Sequence, residues 1–113
     1  MTFDQAIQKM IDRAGDDYHA WLSHGDRDDA TIDRDVDNFR EGFEVKHGRS
    51  YAKIIATNYG QRSVWGFVQL KDSGKFKQGD ILKAAGWNAP AKNKARGNIF
   101  EEYQVKWTGP LYL

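Results

Sequence analysis

Residues 51–70 read YAKIIATNYGQRSVWGFVQL, and this stretch decides the fold. Residues of high β-propensity lie on both sides of NYGQ, which has the composition of a tight turn. The pattern predicts two antiparallel strands joined by a short hairpin. In the second strand, strict alternation places Ser63, Trp65, Phe67 and Gln69 on one face, and Val64, Gly66, Val68 and Leu70 on the other.

Strand patterns continue on either side of this hairpin. FEVKH, from Phe43, alternates apolar and polar residues, and HGRS follows it as a turn. KDSGK is another turn, after which FKQGDILKA at 76–84 is interpreted as a fourth strand, with a short helix capped by Asp80 as the alternative. YQVKW at 103–107 predicts a last strand before the turn TGP and the apolar tail LYL.

The N-terminal residues have helical periodicity. Apolar side chains form one stripe of a helix at Phe3, Ile7, Met10, Ile11, Ala14, Tyr18, Trp21 and Leu22. Thr2 and Gln5 have the spacing of a capping box, and Gly25 is a stop signal. Gly15 weakens the middle of this helix by up to ~1 kcal/mol, so the sequence also allows a kink or break there.

A second, shorter helix is predicted over residues 30–41. Its apolar residues are separated by four, three and four positions, and they are Ile32, Val36, Phe39 and Phe43. Asp28 and Asp29 favour its N-terminal end, and Gly42 ends it.

Two amphipathic helices need an apolar sheet face to cover. We therefore predict an α+β fold, with two N-terminal helices packed on an antiparallel meander sheet of four or five strands. The 113 residues have the size of one domain. We divide it into an acidic helical part at 1–42 and a basic β-rich part at 43–113.

Composition and the N-terminus narrow the class of protein. The absence of cysteine excludes disulfides, thiolate metal sites and cysteine nucleophiles. MTFDQAIQKM lacks the basic and apolar regions of a signal peptide, and no apolar run approaches the ~18 residues of a membrane span. We expect an intracellular, cytoplasmic protein.

Charge is divided unevenly along the chain, although the net charge is only +1. Residues 1–42 carry eleven acids and five bases, whereas residues 43–98 carry three acids and eleven bases. Such asymmetry is a hint of a nucleic-acid or other polyanion partner. The alternative is that the acidic half docks on the basic half within one molecule.

The acidic residues resemble a calcium loop only superficially. Asp33, Asp35 and Asp37 occupy its positions one, three and five, and Glu44 occupies position twelve. Position six is Asn38 instead of glycine, and the same residues support the second helix. We interpret them as a solvated helix face.

No catalytic or metal motif stands out. His19 and His24 are five residues apart, which does not place them on one helix face as in a zinc helix. There is no phosphate-binding glycine motif and no activated nucleophile. We predict neither an enzyme nor a cofactor.

The basic stretch GDILKAAGWNAPAKNKARGNIF, residues 79–100, is the candidate binding site. PAKNKARGN at 90–98 is interpreted as one or two helical turns, whose free N–H groups would suit an anionic oxygen. Trp87 could stack on a base, and the cations could contact phosphates. The predicted nucleic-acid-binding residues are Lys83, Trp87, Lys92, Lys94, Arg96 and Asn98, with Lys46, Arg49, Lys53 and Arg62 as an extension. The alternative is a core tryptophan in a solvated basic loop.

The same stretch carries a resemblance. GQRSVWGFV and KFKQGDILKAAGWNAPAKNKARGNIF resemble a group of short, uncharacterised proteins from tailed bacteriophages, with the pattern SVxxFV, GDILKAAxWxxPAK and ARGNI. It covers about half of the chain and leaves residues 1–42 outside. The resemblance implies a phage or phage-like origin and a role inside the infected cell, without supplying a biochemical function.

We therefore predict a small non-enzymatic protein that binds nucleic acid through the 83–98 region, without strong sequence specificity. The alternative is a protein-interaction module or inhibitor whose acidic helices, from Asp26 to Glu41, engage a host or phage protein. Either a monomer or a homodimer is compatible with the sequence, since the last strand or the LYL tail could pair across an edge.

Overall fold

The computed structural model describes residues 1–111 and confirms the α+β class. Its helices are α1 (Phe3–Leu22) and α2 (Asp29–Glu41). Its strands are β1 (Glu44–His47), β2 (Tyr51–Asn58), β3 (Gln61–Gln69), β4 (Ile81–Leu82), β5 (Val105–Lys106) and β6 (Gly109–Pro110). The first four strands form an antiparallel meander, and β5 and β6 form a separate two-stranded sheet.

The capping box predicted at the start of α1 is present. Thr2 Oγ1 accepts a hydrogen bond from the Gln5 amide at 3.1 Å, and Gln5 Oε1 accepts one from the Thr2 amide at 3.0 Å. Helix α1 runs from Phe3 to Leu22 without a break at Gly15. Gly15 lies beneath the side chain of Arg40 and makes room for it.

Helix α2 begins and ends where the sequence predicts, to within one residue. The Asp28 carboxylate accepts from the Thr31 amide at 2.7 Å as the N-cap, and Gly42 is the C-cap. Asp33 and Asp37 lie inside this helix, so the calcium-loop pattern does not form a loop. Within residues 1–111, no group of three histidine, aspartate or glutamate side chains could hold a metal ion. In the same range, neither helix has the length and apolar character needed to cross a bilayer.

The hairpin predicted from residues 51–70 is present, and its turn has the geometry that hairpins favour. Tyr59 and Gly60 connect β2 to β3 with φ angles of 51° and 79°. Positive φ at both central positions characterises the type I′ turn, whose twist matches that of the flanking strands. The NYGQ turn is therefore confirmed.

A β-bulge corrects the predicted faces of β3. Ile54 pairs with Gly66 and Ile55 pairs with Val64, which leaves Trp65 as the extra residue. Trp65 consequently turns to the helix-covered face and joins the core there, so the prediction that it shares a face with Phe67 is wrong. The helix-covered face also contributes Ala52, Ile54, Ala56, Val68 and Ile81 to the core.

The segment after β4 is not helical. The helical turns predicted at 90–98 are absent, because this backbone pairs with β4 instead. The Arg96 amide donates to the Ile81 carbonyl at 2.7 Å, and the Ile81 amide donates to the Gly97 carbonyl at 2.8 Å. Pairing uses backbone groups that a helix would bond internally. The predicted fourth strand at 76–84 is also shorter, since only Ile81 and Leu82 form it.

The C-terminal strands pack on the helix-covered face. YQVKW contributes only Val105–Lys106, which pairs with Gly109–Pro110 instead of extending the main sheet. A Cβ atom at Gly66 would lie 3.0 Å from Pro110 Cγ, so the absence of a side chain lets this hairpin lie against β3. Trp65 Nε1 donates to the Lys106 carbonyl at 3.1 Å and fixes the hairpin. The predicted LYL tail extends outside the described residues at 112 and 113.

Candidate nucleic-acid interface

The second face of the sheet, opposite the helices, is basic and aromatic. Lys46, Lys53 and Phe67 are neighbours across β1, β2 and β3, so their side chains project to this same side. We define the basic face by its cations and its aromatic rings, namely Lys46, Arg49, Lys53, Arg62, Lys92, Tyr51 and Trp87. The four cations that precede β4 are those that the sequence suggested as an extension of the site.

Trp87 provides the basic face with an exposed aromatic ring. The residue is 46% exposed, so the alternative that it is a core residue is wrong. Lys53 Nζ lies 5.0 Å from the ring centroid, and Arg62 Cζ lies 5.7 Å from it. Asn88 Oδ1 accepts a hydrogen bond from Lys53 Nζ at 3.1 Å and anchors the loop to β2. The indole is therefore held at the surface by cations, within the range of cation–π attraction.

Lys92 and Tyr51 form the neighbouring part of this face. Lys92 is exposed, and its Nζ lies 5.8 Å from the centroid of the Tyr51 ring. That ring contacts Phe67 edge to face, with centroids 5.9 Å apart. Lys94 is exposed further along the same loop. Three predicted site residues, Trp87, Lys92 and Lys94, are thus accessible to a ligand.

Arg96 is buried, and its guanidinium forms hydrogen bonds within the protein. Only 8% of the residue is accessible to solvent. Its guanidinium donates to the Lys94 carbonyl at 2.9 Å, the Leu111 carbonyl at 2.8 Å and the Asn93 side chain at 3.0 Å. A phosphate could gain these donors only by breaking bonds that tie the loop to the end of the described chain.

Asn98 and Lys83 are also engaged inside the protein. Asn98 Nδ2 donates to the Gln78 carbonyl at 2.9 Å and to Asp80 Oδ1 at 3.0 Å, and its Oδ1 accepts from the Phe100 amide at 2.9 Å. Lys83 Nζ donates to the Pro110 carbonyl at 3.0 Å. Burial, with a smaller contribution from Arg96, lowers the pKa of Lys83. The predicted site therefore divides into exposed and internal residues.

An acidic residue, Glu44, reduces the positive charge available on the basic face. Arg62 Nε donates to Glu44 Oε2 at 2.8 Å, and Arg62 Nη2 donates to Glu44 Oε1 at 3.2 Å. Two parallel bonds of this kind orient a guanidinium and satisfy part of its donor capacity. Arg62 is thereby positioned beside Trp87 while part of its charge is compensated.

Shallow cavities lie on either side of the Trp87 loop. One, of about 240 Å³, is lined by Lys46, Arg49, Tyr51, Lys53 and Asn88 among others. The other, of about 390 Å³, is lined by Arg62, Val64, Gly86 and Trp87 among others. The basic face is therefore grooved, and its grooves contain cationic and aromatic side chains.

Comparison with known protein families matches residues 2–112 to DUF7717, a family of unknown function. The chain belongs to the DUF7717 family. The match includes the acidic helical part as well as the basic β-rich part. A search of curated proteins and a search of solved structures gave no match.

In this DUF7717 chain, sequence reasoning missed two contributors to the basic face. Tyr51 is two residues from Lys53 in the same predicted strand, so alternation places both side chains on one face of the sheet. Glu44 is likewise two residues from Lys46 in one strand, so alternation also predicts that it lies on the basic face. Its bond to Arg62 depends on the register of β1, β2 and β3, which the sequence does not specify.

Proposed function

We propose that this domain binds nucleic acid through the basic face, without an enzymatic activity and without strong sequence specificity. The observation that carries the proposal is the exposed Trp87 ring between Lys53 and Arg62. Aromatic rings stack on any base, and cations contact the backbone phosphates that all sequences share. The resemblance to phage proteins further supports a role in the cytoplasm of an infected cell.

The arrangement of charge supports a nucleic-acid partner. The helices that carry most of the acids pack on the opposite face of the sheet, so they do not cover the basic face. Several acids are also paired within the helical layer. Asp16 accepts from Arg40 at 2.6 Å and Asp35 accepts from Arg27 at 2.6 Å. A polyanion could therefore approach the basic face without passing over the acidic layer.

The acidic layer supports a second candidate function, in which the domain binds a basic protein. Asp29, Asp33, Asp37 and Glu41 are exposed and follow one another at four-residue intervals on α2. Side chains at this spacing are neighbours on a helix surface and form an acidic stripe. A host or phage protein with a cationic groove would complement this stripe.

Fluorescence anisotropy with labelled DNA and RNA, single- and double-stranded, at two salt concentrations tests the leading proposal. We expect binding that weakens as salt rises, because cations on the protein displace the counterions of the phosphates. A Lys46→Ala/Lys92→Ala double variant should lose at least about tenfold in affinity at low salt, since each phosphate contact adds to the electrostatic term.

A matched double variant controls for net charge. Lys9 and Lys106 are exposed and lie outside the basic face, on α1 and β5. Lys9→Ala/Lys106→Ala removes the same two charges, and we expect it to change affinity by less than about twofold, because screening weakens exposed charges beyond ~10 Å. Equal losses in both double variants would contradict a localised site. No binding at low salt would overturn the proposal and leave the acidic stripe of α2 as the surface to test.

A further inference from the structure

We infer that the basic face accepts a single strand in preference to a duplex, with one unstacked base lying on Trp87. This inference rests on the proposed function and adds the class of nucleic acid to it. It is carried by the exposure of Trp87, by the grooves on either side of its loop, and by the position of the helices.

The Trp87 ring is fixed in place yet remains accessible. Lys53 lies over the ring and also donates to Asn88, so one lysine holds the tryptophan and the residue that follows it. An indole held this way loses little conformational freedom when a base stacks on it. The faces of bases inside a duplex are covered by their neighbours, so an internal base must be unpaired and unstacked to use this platform.

The grooves beside the loop have the dimensions of small ligand sites. The volume of about 390 Å³ is at the lower end of the roughly 300–1,000 Å³ typical of small-molecule pockets, and the volume of about 240 Å³ is below that range. Lys46 and Arg49 line one groove, and Arg62 lines the other. Such grooves suit the sugar and phosphate groups on either side of a base that is stacked on Trp87.

The basic face also lacks the element that most often reads a duplex. Sequence-specific duplex binding usually inserts a helix into the major groove. Among residues 1–111, both helices pack on the opposite face, and the segment at 90–98 that was predicted to be helical lies along β4. An exposed aromatic ring on a loop, with cations beside it, is instead typical of surfaces that bind single strands.

The test compares a mixed-sequence single strand of about 16 nucleotides, within the usual range of site sizes, with its own duplex at equal salt. We expect the single strand to bind at least about tenfold more tightly. Trp87→Ala should lower single-strand affinity about tenfold, as loss of one stacked base does, and should change duplex affinity by less than about twofold. Trp87→Phe should recover most of the loss, because it restores an aromatic ring.

Trp21→Ala is the matched control, because Trp21 is also exposed, at 56%, but belongs to the helical layer. Its affinity for the single strand should stay within about twofold of the unmodified protein. Urea unfolding of each variant separates loss of binding from loss of folding. Duplex binding as tight as single-strand binding, or equal losses for both forms in Trp87→Ala, would overturn the inference while leaving the proposed function standing. Absence of binding to either form would overturn both.

Discussion

Arg40 of α2 lies directly across Gly15 of α1. A Cβ atom at Gly15 would meet the Arg40 Nε atom and would lie 2.8 Å from Arg40 Cγ and 2.9 Å from Arg40 Cζ. From this position Arg40 Nη2 donates to the Asp12 carbonyl at 3.2 Å and to Asp16 Oδ1 at 2.6 Å. A glycine that is unfavourable for helix propensity thus permits the contact that locks the two helices together.

The contact predicts that the effect of Gly15→Ala on stability depends on Arg40. Alone, Gly15→Ala should lower the free energy of unfolding by about 1–3 kcal/mol, since it overpacks the crossing. In an Arg40→Ala background the same change should stabilise by up to ~1 kcal/mol, because alanine is the better helix former. Urea unfolding of the four proteins in this cycle measures the coupling. The same sign of effect in both backgrounds would show that Arg40 is not the obstacle.

Asn98→Ala should destabilise the fold by about 2–3 kcal/mol, because it removes three hydrogen bonds, of which the bond to Asp80 is buried. Asn88→Ala, at an exposed amide, should change stability by no more than about 0.5 kcal/mol. Chemical denaturation measures both. At a temperature where Asn98→Ala is fully folded, its nucleic-acid affinity should equal that of the unmodified protein. Lost binding with unchanged stability would make Asn98 a ligand contact.

Glu44→Gln should strengthen nucleic-acid binding by about two- to fivefold at low salt. The substitution removes the negative partner of Arg62 and leaves a guanidinium free to contact phosphate. For single-strand binding, one additional phosphate contact should steepen the plot of log affinity against log salt concentration by up to about 0.7 in slope. Asp37→Asn removes an equal charge from the helical layer and is the control. An identical gain in both variants would indicate a general effect of net charge.

Alkaline titration should reveal the buried phenol of Tyr18. Burial is the main cause that raises the pKa of Tyr18 to about 12, and a hydrogen bond with Tyr59 adds to it. The unfolded chain releases this proton near pH 10, its ordinary value, while the folded protein retains it. Stability contributed by the protonated phenol is therefore complete below about pH 10 and is lost as pH rises towards 12.

The loss from this group is on the order of a few kcal/mol, because one pKa unit corresponds to ~1.4 kcal/mol. Urea unfolding of the unmodified protein and of Tyr18→Phe, at pH 8 and across the alkaline range, should show the variant losing less stability above pH 10. The difference in unfolding free energy between the two proteins at pH 8 gives the effect of the lost hydroxyl, and this difference is subtracted at higher pH. Parallel stability curves would mean that Tyr18 does not carry the pH dependence.

Local patterns predicted much of this fold because their causes are local. The capping box of Thr2 and Gln5, the Asp28 cap and the NYGQ turn each depend on residues within four positions of one another. The apolar stripes of α1 and α2 were likewise readable from spacing alone. The resulting two-layer α+β architecture follows because those stripes and the meander need a shared core.

The candidate site was predicted less completely, because exposure depends on distant contacts. Trp87 and Lys92 lie on the surface as expected, whereas Arg96 and Asn98 have the same local character but turn inward. Arg96 finds acceptors at Leu111, fifteen residues away, and Asn98 finds one at Asp80, eighteen residues away. A hydrogen-bond partner at such a distance leaves no periodic signal near the residue itself.

The sequence by itself determined the class of fold, the two helices, the central hairpin and a surplus of positive charge after residue 42. These features arise from propensity, periodicity and composition, which act within a few residues. Only the tertiary structure decided that Trp65 enters the core through a bulge and that residues 90–98 pair with β4. It also decided that Lys53 and Arg62 meet at Trp87. Those outcomes depend on strand register and on hydrogen bonds between backbone groups that are distant in sequence. No local pattern specifies the register or these hydrogen bonds.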